Sequence, residues 1–157
     1  MKAVDIPIMP TTRAAIIASA RGWVGTKFRH QASVKGQGCD CAGLVRGVMV
    51  EAGAFPADYK TYLPKDFLAY SRSPDGSMRS VCDGLFEPIN NPEPGDIGLF
   101  KWFKFPQHLA FFGDYMHGGL SLIQALGPTY PNCVFEIRFD ESWKRRMVQA
   151  YRIPGIV

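Results

Sequence analysis

Apolar residues recur at helical spacing twice in the first third of the chain. Thr11 or Thr12 can cap a first helix in which Ile16, Ile17, Ala20, Trp23 and Val24 form an apolar face, leaving Arg13, Ser19 and Arg21 for solvent. From residue 41 a second stripe runs Cys41, Leu44, Val45, Val48, Met49 and Ala52, the spacing of one helix face, with Asp40 as N-cap and Gly53 as stop. Pro94-Gly95-Asp96 marks a turn, and after it short apolar runs predict strands at 97–103, 108–113, 119–125, 133–138 and 147–152. The stretch 55–95, rich in proline and tyrosine, predicts an insertion over the cleft with short helices near 64–71 and 77–86. Helices precede strands, and no helical stretch long enough for a parallel crossover separates the late strands. The pattern predicts an α+β fold over residues 1–157 as one domain, with N-terminal helices packed on a central antiparallel β-sheet.

Composition narrows the function classes. At 157 residues, 46% hydrophobic and 20% charged, the chain can bury one adequate core. Its net charge of +4 is mild and its basic residues are scattered apart from Lys144-Arg145-Arg146, so no nucleic-acid partner is expected. Residues Met1 to Pro10 are interrupted by Asp5, Pro7 and Pro10 and lack the apolar core of a signal peptide, which predicts synthesis in the cytoplasm without a leader. No apolar run approaches 18 residues, so membrane insertion is not expected. The four cysteines, Cys39, Cys41, Cys82 and Cys133, are then expected as free thiols, and their spacing matches no metal site.

Candidate chemistry centres on Cys41. Taken alone it reads as a small buried hydrophobe. In the first turn of a helix, however, unpaired N–H groups and the positive end of the dipole favour thiolate over thiol. A thiol nucleophile needs a base, and the base a third polar group to hold its ring. Of three histidines, His108 opens a predicted strand, His117 sits in a turn as a solvent-exposed residue, and His30 lies in the loop before Cys41, where it either faces solvent or lines the cleft. Pairing Gly113 with Gly119 places His108 directly opposite Gln124, on the same sheet face, where the amide oxygen could orient the imidazole.

Five segments, in this order, resemble the NlpC/P60 family of papain-like cysteine peptidases. They are Gly25-Thr26-Lys27-Phe28, Asp40-Cys41-Ala42-Gly43-Leu44-Val45, Pro94-Gly95-Asp96, His108-Leu109-Ala110 and Gln124-Ala125. The runs 25–31 and 38–41 are similar in particular to members encoded with phage tails and gene transfer agents. The resemblance implies Cys41 as nucleophile, His108 as base, Gln124 as third residue, and Phe28, His30 and Asp40 lining the substrate site, with no cofactor or metal. It implies cleavage of peptidoglycan, most often at the γ-D-glutamyl-meso-diaminopimelate bond, by a protein that phage-like tail or baseplate proteins carry to the cell wall. Ala42 stands where many members have serine, Phe28 where they have tyrosine, and Gln124 where they have histidine. Two other readings remain open at this point: a structural tail or baseplate component with little activity, and an acyltransferase or amidase on the same fold.

Overall fold

Two side chains start the two main helices in the same way. Thr12 Oγ1 accepts from the Ala15 N–H at 3.0 Å, and Asp40 Oδ1 from the Gly43 N–H at 2.8 Å, each satisfying a donor that a helix start leaves unpaired. Helices α1 (Arg13–Gly22) and α2 (Cys41–Glu51) follow. The structure, a computed structural model, describes residues 4–157. The first three residues of the stretch expected to lack a leader lie outside them.

Between these helices a minimal hairpin pairs β1 (Ser33–Val34) with β2 (Gly38–Cys39), delivering the chain to α2. A 3-10 turn at Tyr59–Tyr62 and helix α3 (Ser77–Leu85) come next. The remaining strands are β3 (Glu87–Ile89), β4 (Ile97–Phe100), β5 (His108–Asp114), β6 (Leu120–Leu126), β7 (Cys133–Arg138) and β8 (Met147–Arg152), with α4 (Glu141–Arg146) inserted before β8. They form one antiparallel sheet in the order β3-β8-β4-β5-β6-β7.

Strand alternation divides the core in two. Leu99, Leu109, Phe111, Ile123 and Ala125 face the helices and pack with Ile16, Leu44, Val48 and Met49. Phe100, Ala110, Phe112 and Leu122 face the other way, beneath Phe139 and Trp143. Buried Asp96, from the turn before β4, receives Arg13 at 3.1 Å and Arg152 at 2.9 Å, tying α1 and β8 to that turn.

The fold class and the helix at 41–51 follow the sequence pattern, and several details differ. Val24 is exposed because α1 ends at Gly22 and Trp23 is its cap, so the apolar stripe stops one residue short of it. Ser19, expected in solvent, is buried and donates to Glu51 Oε1 at 2.6 Å across the α1–α2 contact. No helix forms at 64–71, where Pro64 removes a donor and Asp66 takes a positive φ of 62°. The stretch expected as an insertion ends in β3, the edge strand paired with β8, so its last part belongs to the sheet. Strand β4 stops at Phe100 instead of 103, since the chain turns there and the Gln107 N–H returns to the Phe100 carbonyl at 3.0 Å.

The β5–β6 register also differs: Gly113 faces Ser121, not Gly119. Gly118 and Gly119, both at positive φ, close the turn inside Tyr115, so the connection moves one place along the chain, β5 ending at Asp114 and β6 starting at Leu120. A shift of two residues keeps every side chain on its expected face, because the side-chain period is two.

Trp23 lies flat against α2 at Gly47, where a Cβ would meet Trp23 Cζ2 at 2.2 Å. Gly47→Ala is therefore expected to destabilise the protein by about 1–3 kcal/mol, lowering Tm by several degrees. Gly84→Ala in α3, whose Cβ would meet nothing closer than 3.9 Å, should leave Tm unchanged or raise it. Thermal unfolding of the two variants beside the parent checks both.

Candidate active site

Cys41 is the first residue of α2, and the Asp40 carboxylate fixes where that helix starts. Besides capping Gly43, Asp40 accepts the Gln31 N–H at 2.7 Å and the hydroxyl of Tyr70. Residue 43 can only be glycine in this geometry, since a Cβ would fall 1.8 Å from the Ala32 carbonyl oxygen. With Gly43 taken by the cap, the backbone N–H groups of Cys41, Ala42 and Leu109 are left to favour a charged sulfur. The thiol in turn donates to the Gln107 carbonyl at 3.7 Å. The sulfur therefore lies against the backbone of residues 107 to 109, from which His108 projects.

His108 is buried at the start of β5, with its Nε2 2.6 Å from Gln124 Oε1. The register shift puts Gln124 one diagonal step from His108 and not directly opposite, a distance its side chain spans. An amide oxygen only accepts, so Nε2 carries the proton and Nδ1 is left as the basic atom. Trp102 at 5.0 Å, Trp143 at 5.9 Å and Phe100 at 6.0 Å between ring centroids enclose the imidazole.

Cys41 and His108 open into one cavity of about 800 Å³, mostly apolar, walled by α2, the 63–86 stretch and the loops before β5 and after β6. Phe28, His30 and Asp40 also line it. Phe28 packs against Gly127 and pairs with Cys39. His30 lies within reach of the Tyr70 carbonyl at 3.1 Å and 3.8 Å from Asp40 Oδ2, and His117 is exposed in its turn, away from the site.

Burial sets the protonation states. It pushes the Cys41 thiol up to about 12, and the Asp40 charge acts in the same direction, while the three N–H groups act against it. Burial likewise draws His108 down to about 4, opposed by its bond to Gln124. The helix start alone favours the thiolate, but desolvation and the helix's own cap act more strongly the other way, and burial shifts both thiol and imidazole toward their neutral forms. Such a pair can run nucleophilic attack only with proton transfer to the imidazole as the sulfur attacks.

Several contributors escaped the sequence reading. Trp143 sits on α4, whose signals were present: Asp140 as cap, Glu141 in the first turn and Lys144, Arg145 and Arg146 in the last. Tyr70 and Arg46 carry no local signal, because their roles depend on the 55–75 stretch folding back over α2.

The fold matches solved structures. One, described as similar to a lipoprotein of the NLP/P60 family from Staphylococcus aureus, aligns with 95% of this chain at 16% identity and a TM-score of 0.61. The chain spans only 44% of that protein's length. The NlpC/p60 domain of the peptidoglycan hydrolase SagA aligns with 90% of this chain and 99% of its own, at 19% identity and a TM-score of 0.57. The six-stranded antiparallel sheet with its helices is thus the fold of NlpC/P60 proteins. No family model matches the sequence, and no curated protein does.

For a thiol this far above neutrality the thiolate fraction rises tenfold per pH unit. Alkylation of Cys41 by iodoacetamide, followed by peptide mass spectrometry, is expected to accelerate about tenfold per unit from pH 7 to 9. A rate that stays flat across that range would reveal a standing thiolate and refute the neutral pair.

Proposed function

We propose that this chain is an NlpC/P60-family cysteine peptidase that hydrolyses peptidoglycan stem peptides. The observation that carries the reading is a thiol at the start of α2 sharing a cavity with an imidazole whose Nε2 is held by Gln124 at 2.6 Å. The fold, and the description of SagA as a peptidoglycan hydrolase, support the substrate class. The γ-D-glutamyl-meso-diaminopimelate bond is the cleavage site we propose, and a phage-like tail the vehicle. Both rest on the resemblance of the motifs, the second on residues 25–31 and 38–41.

The chemistry proceeds from the neutral pair. His108 Nδ1 takes the Cys41 proton as the sulfur adds to the carbonyl carbon. Backbone N–H groups at the start of α2 are the donors we propose for the oxygen as it gains charge, the kind of contact worth about 3 kcal/mol to a transition state. His108 returns the proton to the departing amine, leaving a thioester. Nδ1 then deprotonates a water that attacks the thioester, releasing the acid and restoring the thiol. Gln124 keeps Nδ1 free throughout but offers no countercharge to the transient imidazolium.

Diaminopimelate-type sacculi digested with the protein are expected to release fragments bearing a new diaminopimelate amino terminus, read by mass spectrometry. Cys41→Ala and His108→Ala should each reduce release by at least about a thousandfold. Absence of any stem-peptide fragment from the parent digest would end the proposal.

The depressed His108 makes a pH prediction of definite sign. Its neutral form is the base, so kcat/KM should persist below pH 6.5 and fall only toward the imidazole value near 4. Gln124→Glu sets an anion against the ring and should move that acid limb upward by about one to three units.

A further inference from the structure

Arg46 lies five residues after Cys41 on α2 and lines the same cavity, yet the reaction just described leaves it without a task. It is half-buried. Its Nε donates to the Tyr59 hydroxyl at 3.1 Å. The Tyr70 hydroxyl, which donates to Asp40, is held protonated by burial and by that carboxylate. Arg13, Arg21, Arg79 and Arg152 each have a carboxylate within 4.0 Å, whereas among the described residues Arg46 has none. Asp40, which lines the same cavity, already accepts from Gly43, Gln31 and Tyr70.

A guanidinium anchored through Nε on the Tyr59 hydroxyl beside a mostly apolar cavity keeps its charge, and among the described residues its two terminal nitrogens are free. That fork matches a carboxylate in shape and charge. We propose that Arg46 binds a free carboxylate of the substrate, a second anchor beside the scissile bond. The inference rests on the peptidase reading, in which a γ-linked glutamate carries an uncombined α-carboxylate next to the bond that is cut. Tyr59 holds the fork in place, and the specificity is for an acid over the corresponding amide.

The test uses two stem peptides identical except that the γ-linked glutamate bears an α-carboxylate in one and an α-carboxamide in the other. The parent protein is expected to cleave the acid with a kcat/KM about 10- to 100-fold above that of the amide, the range of one hydrogen bond to a charged group. Arg46→Met should bring the two within about twofold, and Arg46→Lys should retain part of the preference. A merely structural role would lower both peptides together and leave their ratio intact, which would overturn the proposal. Equal cleavage of both by the parent would overturn it as well. Calorimetric binding of both peptides to Cys41→Ala separates this inference from the peptidase reading. A preference for the acid that Arg46→Met removes upholds the subsite even if the parent cuts neither peptide, and equal binding refutes it.

Discussion

One carboxylate, Asp40, holds three parts of the chain together. It caps α2, draws in the backbone of the preceding loop at Gln31, and receives Tyr70 from the stretch that folds over the cavity. The position of the sulfur one residue later follows from this convergence, as does the requirement for glycine at 43. The arrangement has an electrostatic consequence. A full negative charge beside Cys41 opposes formation of another, so the group that positions the thiol also keeps it protonated.

His108 meets the complementary condition. Burial disfavours its cation as it disfavours the thiolate at Cys41, and Gln124 supplies orientation without charge. In the proposed reaction charge separates only as the sulfur adds to a carbonyl. Gln124 bears a cost for this arrangement: its amide nitrogen is buried with no partner, the sort of unsatisfied group that costs about 1–3 kcal/mol. Such a cost is tolerated where the other end of the side chain has a fixed task.

The cavity assembles from pieces far apart in sequence, and the sheet holds them in place. The start of β5 presents the proposed base, the loop after β6 forms one wall, and the 63–86 stretch forms another. Asp96, gripped by Arg13 and Arg152, locks the turn that leads into β4 and so fixes the strand beside β5. The mostly apolar lining makes the few polar groups that do converge, Cys41, His108 and Arg46 among them, decisive for what the cavity can hold.

By itself the sequence determined what depends on neighbours a few residues apart. The stripe from Cys41 to Met49 with its Asp40 cap, the order of helices before strands, and the face shared by His108 and Gln124 all follow from periods of 3.6 and 2. The face survived a register error because alternation constrains parity and not pairing, which the turn at Gly118 and Gly119 decides. Only the tertiary structure decided the ionisation of the site, since burial and the closeness of Asp40 reversed what a helix start alone favours for a thiol. It also decided the roles of Arg46, Tyr70, Trp102 and Trp143, whose partners come from distant segments. Local periodicity encodes which way a side chain points, whereas solvation and long-range contact exist only once the chain has closed on itself.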